Sequence, residues 1–114
     1  MALTIASRPV DGVTVLDLSG RITLGEGSVQ LREAVRDLIS KGSHNILLNM
    51  SDVNYIDSSG LGELVSAFTT AKNQGASVKL LGLTKKVKDV LQLTKLYTVF
   101  DVYEDEASAI GSFK

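Results

Sequence analysis

Apolar and polar positions alternate along Leu3-Thr4-Ile5-Ala6-Ser7 and again through much of Val13-Thr14-Val15-Leu16-Asp17-Leu18, the period of half-buried strands. Between them Pro9-Val10-Asp11-Gly12 carries an Asp-Gly turn signal, which predicts a hairpin. The period then changes: Leu31, Ala34, Val35, Leu38 and Ile39 recur at helical spacing with Arg32, Glu33, Arg36 and Asp37 between them, and Gly42 supplies a stop. Thr23-Leu24-Gly25-Glu26 places a hydroxyl three residues before a carboxylate, which predicts a capping box at the helix start. Ile46-Leu47-Leu48-Asn49-Met50 is nearly continuous in apolar character and too short for a helix, so it reads as a central strand. The polar Ser51, Asp52 and Asn54 after it predict a loop into a second amphipathic helix, marked by Leu61, Leu64, Val65, Phe68 and Ala71 and ending near Asn73-Gln74-Gly75. Val78-Lys79-Leu80-Leu81 reads as the next strand, with Thr84 capping a third helix whose apolar positions are Val87, Val90 and Leu91. Val99-Phe100-Asp101-Val102-Tyr103 predicts a last strand, and Glu104-Asp105-Glu106 the acidic first turn of a closing helix with Ala107 and Ile110.

A hairpin followed by helices and strands in alternation predicts an α/β fold, with a mixed sheet of about five strands and helices carrying the crossovers. The 114 residues leave room for one domain, 1–114, and a hydrophobic share of 44% against 22% charged residues is enough for a core without staples. With no cysteine there is neither a disulfide framework nor a thiolate metal site, which fits a reducing compartment, and a cytoplasmic location is expected. A net charge of -1 provides no field for nucleic acid or anionic lipid. The chain lacks an apolar run of membrane-spanning length, and its start, Met1-Ala2-Leu3-Thr4, lacks a basic leader region.

The segment Asp57-Ser58-Ser59-Gly60-Leu61-Gly62 leads from a strand into a helix, so its hydroxyls and carboxylate sit at a helix N-terminus, where free N–H groups and the dipole favour anions. A serine there suits a plain capping turn first, since hydroxyl-rich helix starts are common, and it also suits a phosphorylation site. Gly60 and Gly62 remove Cβ atoms from the first turn, which predicts close approach by a partner.

This segment resembles the signature of STAS domains, and in particular of bacterial anti-sigma factor antagonists. Gly20-Arg21-Ile22, Asn49-Met50-Ser51-Asp52-Val53, Val78 to Leu83, Val87 to Leu91, Leu93-Thr94, Leu96, Phe100 and Tyr103 resemble the family's framework. The resemblance implies a non-enzymatic regulator: unphosphorylated, it binds a serine-kinase anti-sigma factor and releases a sigma factor, and phosphorylation of Ser58 by that kinase breaks the complex. A serine phosphatase would reverse the modification. Asp57 is expected to orient the Ser58 hydroxyl, and Asn54, Tyr55, Ile56, Asp57, Ser58, Ser59, Gly60, Leu61 and Gly62 to form the partner contact. A monomer is expected. The alternative within the same resemblance is an interaction subunit of a transporter or signalling scaffold, using this surface without a phosphoswitch. Lys95, where many family members have glycine, and Leu24-Gly25-Glu26-Gly27, in place of an Asp-containing helix start, depart from the pattern and bear on partner choice.

Other chemistries find little support in the residues. Ser58 and Ser59 lack a nucleophile elbow, and the only histidine, His44, falls at the far end of the strand leading to them, so no triad is expected. One histidine and no cysteine leave nothing for zinc. Gly60-Leu61-Gly62 has Val65 at the third glycine position of a dinucleotide fingerprint, and no phosphate loop exists, so no cofactor is expected. Lys85, Lys86 and Lys88 sit near the start of the third helix, where cations oppose the dipole; they read as a solvated face partly neutralised by Asp89 or as a docking patch for an acidic partner.

Overall fold

The computed structural model describes residues 3–113; Met1 and Ala2 of the chain start discussed above, and Lys114, lie outside them, as does the side chain of Glu26. Strands β1 (Leu3–Val10) and β2 (Val13–Ile22) form the expected hairpin. Val10 pairs with Val13 around Asp11 and Gly12, whose φ angles of 49° and 80° are those of a primed two-residue turn. There follow α1 (Glu26–Ser40), β3 (Asn45–Ile56), α2 (Ser58–Asn73), β4 (Ser77–Leu81), α3 (Lys85–Leu93), β5 (Val102–Tyr103) and α4 (Glu106–Gly111). The strands lie in sequence order in one five-stranded sheet, with β1 antiparallel to β2 and the other neighbours parallel. Parallel neighbours need crossovers, which α1, α2 and α3 provide. The α/β class and mixed sheet are those read from the sequence.

Strand alternation divides the apolar residues between two layers. Leu16, Leu18, Ile46, Leu48 and Met50 meet Leu31 and Val35 of α1, Leu64 and Ala71 of α2, and Val87 and Leu91 of α3. Val13, Val15 and Leu47 belong to a second cluster, closed by Ala109 and Ile110 of α4. The short α4 is also tied electrostatically: Arg8 of β1 pairs with Asp17 of β2 at 2.7 Å and with Glu106.

Four local expectations are corrected. The polar stretch after Met50 is strand rather than loop: β3 continues to Ile56 because Ser19 to Ile22 of β2 pair with Asp52 to Ile56 through register shifts, while Val53 and Ile56 turn into the core. The start of α1 is capped by Gly25 rather than by a box built on Thr23, which instead accepts the Ser28 amide through its carbonyl at 3.0 Å. Thr84 precedes α3 as expected, yet its hydroxyl donates to the Val53 carbonyl at 2.7 Å and caps nothing. The last strand shrinks to Val102–Tyr103, because Phe100 is drawn into the core edge-on against Phe68, with ring centroids 5.5 Å apart.

The helix ends show the part that Lys95 plays in place of a glycine. Helices α1 and α2 are followed by Gly42 and Gly75 at φ 88° and 76°. At the end of α3 the Leu96 amide bonds the Leu91 carbonyl and the Lys95 amide that of Gln92, the same Schellman geometry, but here Lys95 holds the left-handed position at φ 62°. A side chain pays about 1 kcal/mol there that glycine avoids, partly offset by glycine's freer unfolded chain. Lys95→Gly is therefore expected to stabilise the protein by up to about 1 kcal/mol in urea unfolding, and a lowered midpoint would refute the assignment.

Candidate functional site

The C-terminal ends of β2 and β3 and the start of α2 converge on Asp57. Its backbone is extended, at φ -102° and ψ -176°, so it stands as the N-cap of α2 rather than in the helix. One carboxylate oxygen accepts the Gly60 amide at 2.8 Å, three residues on, as N-caps do. The other accepts the Leu24 amide at 3.0 Å, from the loop between β2 and α1. The Gly60 and Leu24 amides hold the Asp57 carboxyl below the usual carboxylate range, so it is ionised at neutral pH. Its bonding partners are thus two backbone amides rather than the Ser58 hydroxyl expected from the sequence. What Asp57 orients is the junction between α2 and the Leu24 loop.

Ser58 occupies the first helical position and is exposed, and Ser59 is half-buried. Gly60 has a different part from the one expected of it. A Cβ built there would lie 2.0 Å from the Ile22 carbonyl oxygen, so the missing side chain admits β2 of the same chain, not a partner. Gly62 does face open space, with nothing within 4 Å of a Cβ placed on it. Ile56 and Leu61 are buried in the core and offer a partner little surface, whereas Asn54 and Tyr55 are exposed. Leu24, outside the expected contact set, is 77% exposed beside Asp57. Its signal was an apolar side chain in a glycine-flanked loop that belongs to no periodic face.

Among the described residues the Ser58 hydroxyl has no side-chain hydrogen-bond partner, and the neighbouring Asp57 carboxylate is taken up by backbone amides. His44 is exposed and precedes β3, at the opposite end of that strand. Among the described residues no cluster of three or more metal-ligating side chains occurs, and no helix is long and apolar enough to cross a membrane. The geometry leaves the Ser58 residue exposed at the first position of α2.

Residues 4–109 match the family model of the STAS domain. The chain belongs to the STAS domain family. The anti-sigma-B factor antagonist of Bacillus subtilis is 32% identical to it over 87 residues, 76% of this chain and 78% of that one. The crystal structure of the Thermotoga maritima protein TM1081 is similar at a TM-score of 0.87 and 28% identity, covering 95% of this chain and 92% of the other. The anti-sigma factor antagonist SpoIIAA in its unphosphorylated form has a TM-score of 0.80 at 21% identity over 96% of each chain. The phosphorylated form of Bacillus SpoIIAA gives 0.75 at 20% identity over 97% of this chain and 100% of that chain. At those identities the SpoIIAA structures bear on the fold alone. In this STAS domain the signature therefore occupies the junction of β3 and α2, with Ser58 outward and Gly60 inward.

Proposed function

We propose that this STAS protein is an anti-sigma factor antagonist whose switch is phosphorylation of Ser58. Unmodified, it binds a serine-kinase anti-sigma factor and frees a sigma factor; modified, it releases the kinase, and a serine phosphatase restores it. The protein performs no catalysis of its own, and the cytoplasm is where such partners meet. The observation that carries the reading is the placing of an exposed Ser58 hydroxyl at the first position of α2, on a helix start clamped by Asp57. The likeness to the Bacillus subtilis antagonist supports the class of partner.

Incubation with the cognate kinase and ATP is expected to add one phosphate, on Ser58 and not on the half-buried Ser59. Ser58→Ala should remain unmodified. Peptide mapping decides it: phosphate on Ser59, or a modified Ser58→Ala protein, overturns the assignment. A wild-type protein that no such kinase modifies would instead favour a STAS subunit without a phosphoswitch.

A further inference from the structure

The start of α3 carries positive charge with which no acidic side chain of the described residues forms an ion pair, although Asp89 stands one turn further along the helix. Lys85 and Lys86 fill its first two positions, where the helix dipole disfavours cations, and the first turn has no acidic residue. Thr84, which would ordinarily soften that end, has its hydroxyl on Val53. Lys88 is directed elsewhere, 5.9 Å from the centre of the Tyr97 ring. Lys86 instead lines an open cleft of about 360 Å³ with Arg21, Asn54 and Tyr55. Among the described residues neither Arg21 nor Lys86 forms an ion pair.

The topology explains the cleft. β3 pairs with β4 only as far as Asn49 opposite Leu81, so its last residues run on without a strand partner on that side. Arg21 sits opposite Tyr55 on β2, and Lys86 comes from α3, which packs against β3. Two cations, the positive end of a helix, an amide side chain and an exposed aromatic ring thus meet at one cleft, and two of its residues, Asn54 and Tyr55, precede Ser58 by four and three residues. Such an arrangement lowers the stability of α3 unless an anion from outside completes it.

We propose that this cleft seats an acidic segment of the anti-sigma partner, with Arg21 and Lys86 pairing with its carboxylates and Tyr55 packing against its chain. The inference rests on the function proposed above and names the chemistry by which that partner is chosen. A protein segment fits better than a free small anion. The cleft is open and its charges are screened by salt, whereas a segment already held at the neighbouring Ser58 surface binds at high effective concentration.

The test is calorimetric titration of the protein with each purified serine-kinase anti-sigma factor encoded by the same genome, at low and high salt. Arg21→Glu and Lys86→Glu should each weaken binding at least tenfold at low salt, and less at high salt. Lys86→Glu should meanwhile keep or slightly raise the melting temperature, since an acid suits the helix start, which no merely structural role for Lys86 would produce. Lys72→Glu, the same charge change in the last turn of α2, should cost less than threefold. If a charge reversal unfolds the protein, Arg21→Gln and Lys86→Gln replace it, with a loss of at least threefold expected. Wild-type binding with either cleft variant losing less than threefold overturns the inference alone, as does a Lys72→Glu loss equal to theirs. ATP or inorganic phosphate that shifts the Arg21 and Lys86 resonances at micromolar concentration also overturns it, by making the cleft a small-anion site. Failure of the wild-type protein to bind any of these kinases overturns the functional reading and this inference together.

Discussion

Gly60→Ala is expected to cost the protein about 3 kcal/mol or more, the upper end of what forcing a methyl group into a packed site does. The new Cβ would fall 2.0 Å from the Ile22 carbonyl oxygen and 2.8 Å from its carbon. Both are backbone atoms of β2, paired there with Ile56 of β3, so no side chain can swing away from them to make room. The Ile22 carbonyl also accepts the Asp57 amide at 3.3 Å, and moving it would loosen the cap of α2. Against a total stability of about 5–15 kcal/mol, that loss is a large fraction, and the melting temperature should fall by more than about 10 °C. Gly62→Ala is the matched control. It lies in the same helix with nothing near a Cβ, and alanine's better helix propensity should stabilise by about 0.5–1 kcal/mol. Thermal melts of the two variants separate close packing from accessibility: a wild-type midpoint for Gly60→Ala would show that β2 yields and that the glycine serves an outside contact after all.

The second large effect is on binding, with the fold left intact. A phosphate on Ser58 enters the first turn of α2, where free amides and the dipole favour an anion by about 0.3–1 kcal/mol. Asp57, ionised and hydrogen-bonded only to backbone amides, repels it and offsets part of that gain. The melting temperature should therefore change by only a few degrees. In the complex the same group would be pressed against the kinase, and burying a charge near −2 without a cationic partner costs several kcal/mol. Each 1.4 kcal/mol is tenfold in affinity, so a loss of at least about a hundredfold is expected. Ser58→Asp should follow in direction with a smaller effect, having one charge and fewer acceptor oxygens. Melts and binding titrations on the modified and unmodified protein decide between routes. Unfolding on phosphorylation would replace exclusion at the interface with disorder as the switch, and unchanged affinity would remove the switch altogether.

Much of the architecture was legible in local pattern. The Asp11-Gly12 turn, the helical spacing of Leu31 to Ile39, the short apolar run at Ile46 and the hydroxyl-rich start at Asp57 each produced the element expected of them. These signals work because hydrophobic period and capping chemistry are properties of residues a few positions apart. The resemblance of Asp57 to Gly62 to the STAS signature likewise lay within six consecutive residues, and the family match bears it out.

What the sequence could not decide were the contacts between distant segments. The residues after Met50 look like loop because their polarity masks two inward positions, Val53 and Ile56, and only pairing with β2 makes them strand. The part of Gly60 depends on Ile22, and that of Asp57 on the Leu24 amide 33 residues earlier. Arg8 reaches Glu106 across 98 residues to hold α4 on the far face of the sheet. Arg21 and Lys86 share a cleft only because β3 outruns β4. Periodicity tells which face of an element is buried, but not which other element will cover it. A cap, a clash or a cleft made by two segments is therefore determined when the sheet closes, by the register in which the strands pair.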